Sequence, residues 1–545
     1  MICLLLFASK HVITTTCRGA VRMEKQSRLV QHKKPNGAVY VYKIVDNYWD
    51  PKKQQSRNKQ ICIGKLDPET GELIPSKRLN ESQVAPLDAA VTARTTVSGP
   101  AMVFNRIDEE TDLAKTLSKA FPDSWRQILS LAWYVAGTGD VLSHAEAWCG
   151  NHETPFEGSL SSQRISELLE RMSEDGRQTF FKLWGKRVCE NDFLCYDVTS
   201  VSSYSELNEF VRWGYNRDKE KLPQVNLAMV YGQKSRLPVT YRVLPGSIAD
   251  VKSLSGLLEE FRKLEFPSLH LVMDKGFYSQ ENIDRLAETR QNFTIAVPSR
   301  LKWVREEIDR FRGGMYGPEG YRKVGDEVLY VHTRMLSWGK ERRRCYAQLY
   351  FNSLKAAEDY DEFTLELLKY REELEQERPV PEHEEAYRRF FTCKRTPRRG
   401  LKVSYNTEAI EAYRNAYAGF FVLLTTKFKD PLEALRVYRE KDVVEKCFDD
   451  LKNGLDMKRL RVHLSGRMKS RMFIQFVSLI LTSRIRKTVQ EKLPSSKYTP
   501  KSILLELESL TTVRYTGKYK NRLVEATKSQ REILEAFGID LEASL

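Results

Sequence analysis

Apolar positions change their spacing several times along the chain, and each change marks a new kind of element. Residues 38–45 and 60–63 are short β-rich runs on either side of a polar stretch at 47–57, which predicts a small two-stranded unit ending near Leu66. From about 105 to 186 the spacing lengthens to three and four. Residues 125–134 and 161–172 predict helices, the second capped by Ser161 and open to two readings, a packing helix or one of recognition type. Three runs rich in β-branched and aromatic residues follow at 193–201, 223–231 and 237–244, predicting consecutive strands. A helix from Asp250 to about Leu264, a strand at 269–274, a helix from Ser279 and a strand at 293–298 then alternate.

The alternation is interrupted between 300 and 413. Residues 328–335 and 343–351 read as strands paired across a turn at 337–340, and a charged helix from Ser353 ends before Pro379. This stretch reads as an inserted module and not as a continuation of the sheet. The core pattern resumes with an apolar strand at 419–425, a helix at 438–452 and an apolar helix at 472–481, before a mixed helical tail. The fold class is α/β: a mixed sheet flanked by helices and interrupted by a β-rich insertion, with an N-terminal β-hairpin and helical regions ahead of it.

Composition narrows the partners. The chain has 545 residues, 41% hydrophobic and 30% charged, with a formal charge of +15 and a pI near 9.2. These values fit a globular protein with a polyanionic partner, most simply nucleic acid. Nine scattered cysteines without a Cys-x-x-Cys pair or a histidine at ligand spacing fit a reducing cytosol, and structural zinc is not expected. The apolar stretch at 1–7 is too short to cross a membrane and lacks a basic start, so it reads as an over-long beginning ahead of Met23; no membrane partner is expected.

Candidate chemistry comes from acids in costly places. Asp197 sits inside an apolar strand, where a carboxylate is unfavourable unless it is paired or binds a cation. Asp274 ends another strand. Asp250 reads first as the N-cap of its helix, ahead of a catalytic role. At helical period, Tyr438, Lys441, Glu445 and Lys452 share one face of the 438–452 helix. Two carboxylates on neighbouring strands and a third on a packed helix supply the oxygen ligands that Mg²⁺ prefers, and two such ions suit phosphodiester chemistry. Between 454 and 487, nine basic residues including Lys458, Arg459 and Arg461 face one acid, a rim suited to a phosphate backbone.

The segments Tyr-Asp197-Val-Thr-Ser, Met-Asp274-Lys-Gly-Phe-Tyr-Ser and Tyr438-x2-Lys441-x3-Glu445-x6-Lys452 resemble the DDE transposases of bacterial insertion sequences, in the IS4-like group and its IS1634-like branch. The family signature carries arginine where this chain has Lys441, so the bidentate grip on a phosphate is lost there. The resemblance implies an RNase H-like catalytic core in which Asp197, Asp274 and Glu445 are catalytic and bind two Mg²⁺ or Mn²⁺ ions. It implies that Tyr438, Lys441 and Lys452 contact DNA. Lys458, Arg459 and Arg461 extend that surface, and Trp338 at the insertion's turn is a candidate to stack on an extruded base.

The implied layout is an N-terminal extension (1–30), a small basic β unit (31–80), a helical DNA-end-binding region (81–188), the core in two parts (189–300 and 414–489) around an insertion (301–413), and a helical tail (490–545). The implied function is binding of terminal inverted repeats, hydrolytic cleavage, and joining of the 3′ ends to target double-stranded DNA by a DNA-bound homodimer. The expected location is cytoplasmic, at the nucleoid. Two other readings stay open: a catalytically silent DNA-binding regulator, and an RNase H-like nuclease without strand transfer.

Overall fold

The computed structural model describes residues 29–35, 37–50, 53–67, 73–76, 93–205, 207–299, 301–314, 317–338, 342–397, 400–515 and 521–541. The stretch at 1–7 and Met23 lie outside them. The described residues fall into two compact units, those within 29–94 together with 515, and those within 95–514 together with 521–541.

The first unit is a four-stranded antiparallel sheet of Leu29–Lys33, Val39–Asp50, Gln55–Leu66 and Leu73–Pro75, in chain order. Most of the polar stretch at 47–57 is strand and not turn: Asn47 pairs with Asn58 and Trp49 with Ser56. Cross-strand pairing along a long hairpin outweighs the polar composition here.

The second unit is built on a ten-stranded mixed sheet. Its strands are β1 (Phe193–Ser203), β2 (Gln224–Gly232), β3 (Pro238–Pro245), β4 (His270–Met273), β5 (Asn292–Val297), β6 (Tyr321–Val324), β7 (Glu327–Trp338), β8 (Arg343–Asn352), β9 (Phe420–Thr425) and β10 (Arg459–Leu460). The order is β6-β7-β8-β9-β5-β4-β1-β2-β3, with β10 pairing with β1. β1, β2 and β3 are antiparallel neighbours. β4 runs parallel to both β1 and β5. All nine residues of β2 are buried, as a central strand covered on both faces requires.

The 328–351 hairpin was expected to stand apart, yet it continues the sheet: β8 pairs with β9 from Tyr346↔Thr425 to Phe351↔Phe420. The unbroken buried run Ala347–Tyr350 in β8 suits an inner strand covered on both faces. What stands off is the following segment, where the Ser353–Glu375 helix and a hairpin of Phe391–Thr396 and Gly400–Tyr405 enclose their own small core around Phe363, Leu367 and Phe390.

The N-terminal helical stretch appears as expected, including Trp125–Thr138 and Ser162–Arg171, with Ser161 accepting from the Arg164 amide. It packs on the Ser465–Lys492 helix, whose Phe473 and Phe476 meet Phe180 and Phe181 edge to face. No helix among the described residues is long and apolar enough to cross a membrane.

Candidate active site

The site is assembled by the pairing of β1 with β4. Tyr196 lies opposite Met273 on parallel strands, so Asp197 and Asp274 are the next residues on neighbouring chains, whose spacing is about 4.8 Å. Beyond this point the strands part, and β1 is met instead by β10 at Ser202 and Ser203. The Asp197 carboxylate accepts from the Val198 amide at 2.8 Å and that of Asp274 from the Lys275 amide at 2.7 Å. Tyr438 donates its hydroxyl to Asp274 Oδ1 at 2.8 Å, which fixes that side chain.

The predicted 438–452 helix is divided. One helix covers Pro431–Arg439, a second covers Asp442–Asp449, and a wider π turn covers Asp450–Gly454. At the join the backbone tightens, with Lys441 N bonded to Tyr438 O and Val444 N to Lys441 O. The cause lies in tertiary packing. The first helix packs on β4, β5 and β7 to β9, the second on β1 and β2, and one straight rod cannot follow both parts of a twisted sheet. Tyr438 and Glu445 therefore reach the site from separate helices.

Lys441, at the join, brings a cation to the site. Its Nζ lies 2.9 Å from Glu445 Oε1, with the lysine 18% and the glutamate 58% exposed. Burial alone would lower the Lys441 pKa, but the bond to Glu445 and the charges of Asp274, Glu445 and Asp197 raise it. Desolvation pushes the Asp197 carboxyl up to about 6, against the opposing pull of Arg217 and Lys441. Desolvation also raises Tyr438, helped by the Asp274 charge.

A fourth carboxylate joins this group. Asp250 was expected as an N-cap; Ala249 occupies that position and Asp250 is the first helical residue, paired with Arg217. Burial raises its pKa, opposed by Arg217 and reinforced by Asp274. Asp250 and Arg217 line a cavity of about 330 Å³ with Val198, Ser200, Tyr215 and Asn226. On the other side of Asp274, a groove of about 780 Å³ runs past Tyr438, Arg439, Phe421 and Lys355.

The donors are chemically suited to a hard divalent cation: they are carboxylate and phenol oxygens, without thiol or imidazole. The raised pKa of Asp197 marks buried negative charge that is only partly balanced. Among the described residues no three acidic, histidine or cysteine side chains are drawn together closely enough to hold an ion. Glu445 is turned to Lys441 instead. Asp197 and Asp274 thus carry the oxygen donors that such an ion takes, while Glu445 stands bonded to Lys441.

The basic rim at 454–487 is largely spoken for. Arg459 binds Glu220, Arg467 Glu170, Arg471 Asp456, Arg484 Glu110 and Arg486 Asp450. Lys452 binds both oxygens of Asp218, at 2.9 and 2.7 Å. Lys458 and Arg461 are exposed and make no ion pair with the described residues.

Trp338 lies at the far end of the sheet. It pairs with Arg343, beyond the Tyr346↔Thr425 register, donates to Asp284 at 3.1 Å and packs against Trp303. A packing role predicts that Trp338→Phe costs about 1 kcal/mol in urea denaturation through loss of the indole donor. The base-stacking role expected from the sequence predicts instead that a ringless Trp338→Leu loses affinity for DNA, which the packing role does not.

A family model described as "Transposase DDE domain" matches residues 189–481, more than half of the chain. No curated protein matches it. Among solved structures, the chain is similar to the "Cryo-EM structure of piggyBac transposase synaptic complex with hairpin DNA", at 12% identity and a TM-score of 0.34, over 76% of this chain and 70% of that one. Asp197, Asp274 and Glu445 all fall within the matched span, and the chain belongs to the transposase DDE domain family.

Proposed function

We propose that the chain is the transposase of an insertion sequence, of the IS4-like group and its IS1634-like branch, and that Asp197, Asp274 and Glu445 are its catalytic acids. The observation that carries this reading is the β1–β4 pairing, which sets Asp197 beside Asp274 where the two strands part. The order β3-β2-β1-β4-β5, three antiparallel strands followed by two parallel ones, supports an RNase H-like core.

Two divalent ions, Mg²⁺ or Mn²⁺, would supply charge neutralisation and polarisation at the scissile phosphate. Asp197 and Asp274 would hold them from rigid strands, and Glu445 would join by exchanging its bond to Lys441. Tyr438 keeps Asp274 oriented throughout. Lys441, once released, would be free to meet a DNA phosphate, with Lys452, Lys458, Arg459 and Arg461 as further phosphate contacts. Each chemical step breaks one phosphodiester P–O bond and forms another. Water attacks first at the terminal inverted repeat; the freed 3′ hydroxyl then attacks target DNA. The partner is double-stranded DNA, held by a homodimer that brings two ends together, in the cytoplasm at the nucleoid.

The test is incubation of the protein with Mg²⁺, labelled duplexes carrying the DNA that flanks its gene, and a supercoiled plasmid target. Labelled ends joined to plasmid are expected. Cleavage without joining would make the chain a nuclease, and binding alone would make it a regulator; either result overturns the transposase reading.

A further inference from the structure

We infer that the loop between β1 and β2 is a stacking platform for unpaired DNA bases beside the candidate active site. This rests on the reading of the chain as one that acts on DNA ends, and it goes beyond the acids and phosphate contacts assigned above. Trp213 is 68% exposed and Tyr215 is 85% exposed, and Tyr204 and Leu207 of the same segment are exposed as well. Large rings left in water on an ordinary loop would fold back or move. Here the backbone that carries them is tied down.

Arg217 N donates to Ser200 Oγ at 2.9 Å, Asn216 Nδ2 to Ser202 Oγ at 3.0 Å, and Gln224 Nε2 to the Tyr215 carbonyl at 2.9 Å. Between the two rings, Gly214 lets the loop sit against Gly246, whose carbonyl oxygen any Cβ at 214 would strike. Three ion pairs complete the anchoring: Arg217 with Asp250, Asp218 with Lys452, and Glu220 with Arg459. The rings are thus exposed and held in place together.

Charge and position say what covers them. Asp218 and Glu220 are neutralised by their partners, and the exposed Glu209 is outnumbered by the exposed Arg212, Lys219, Lys221 and the neighbouring Lys458 and Arg461, so the surface favours a polyanion. Ser200, which anchors the loop, lies three residues along β1 from Asp197, on the order of 10 Å. In a duplex the base faces are hidden by stacking, so exposed aromatic rings gain only where bases are unpaired. Such bases arise at a DNA terminus being cut or opened in the cleft.

The experiment compares binding of the full chain to a 20-nucleotide dT strand and to a 20-base-pair duplex, by fluorescence anisotropy, for the native protein and for W213A/Y215A. Thermal melting confirms that the variant is folded, as expected for two exposed side chains. Loss of two stacks is expected to weaken dT binding by about tenfold or more, with duplex binding changed less than about twofold. Equal losses on both probes, no loss on either, or no dT binding by the native chain would overturn the platform. Because the readout is binding without divalent ions, it does not depend on cleavage. A chain that fails to cut DNA but loses dT binding selectively keeps the platform and loses the transposase reading; the converse result separates them in the other direction.

Discussion

Asp197→Asn and Asp274→Asn are each expected to slow cleavage of DNA ends by at least about a thousandfold, because each removes a charge on which divalent-ion chemistry at a phosphodiester depends. Asparagine keeps the shape and the acceptor oxygen, so the Tyr438 bond to position 274 and the local fold survive, and duplex binding should be near native. The Asp197 variant carries a second, opposite signature. Its carboxyl has an ordinary value of 3.8 and is raised to about 6 in the fold, chiefly by desolvation.

A carboxyl raised in the folded state contributes stability that is fully present below its unfolded value and is lost as pH rises through the folded one. At pH 4 the native chain and the Asn variant should therefore be of similar stability. At pH 8, without divalent ions, the variant should be the more stable by about 2–3 kcal/mol, from roughly two pKa units at about 1.4 kcal/mol each. Urea denaturation at the two pH values reads this difference. A variant that cuts DNA at the native rate would remove Asp197 from the chemistry, and equal stabilities at pH 8 would show that its charge is already balanced.

Much of this site was legible because acids in apolar strands are costly and therefore conspicuous. Asp197 is conspicuous on that ground and Asp274 as an acid ending a nearby strand, and the strand and helix alternation around them recurs in the fold. What the sequence could not show is who neutralises whom. Lys452 and Asp218 are 234 residues apart, and Arg459 and Glu220 are 239 apart, so no local window contains both members of either pair. The excess of basic residues at 454–487 pointed to a phosphate surface for the same reason: Glu110, Glu170, Glu220 and Asp450, which bind four of those arginines, lie outside the window. The break at Lys441 was equally hidden. No proline or glycine marks it, and it follows from the different strands under the two helices. Arg217 has no local signal either, 33 residues from Asp250, though it is the partner that lets Asp250 lie beside Asp274.

Lys441→Gln is expected to raise affinity for Mn²⁺ about tenfold and to lower the melting temperature of the metal-free chain. The ammonium of Lys441 lies 2.9 Å from Glu445 Oε1, and the charges of Asp274 and Asp197 also act on it. It therefore occupies the electrostatic position that a bound cation would take. Four carboxylates, the Lys441 ammonium and the Arg217 guanidinium carry −4 + 2 = −2; without the ammonium the group carries −3. The metal-free variant thus suffers more repulsion, while a divalent ion meets greater negative charge and a Glu445 that is already free. A tenfold gain corresponds to about 1.4 kcal/mol; solvent screening limits the Lys441–Glu445 pair itself to about 1 kcal/mol, and the charges of Asp274 and Asp197 on Lys441 supply the rest. Lys441→Arg retains the charge and should stay near the native affinity, which separates loss of charge from loss of packing. Mn²⁺ titration followed by electron paramagnetic resonance, with thermal melting of the metal-free proteins alongside, gives both readouts. If the Gln variant binds Mn²⁺ no more tightly than the native chain, Lys441 does not compete for the acids, and Glu445 must be reached by an ion without displacing it.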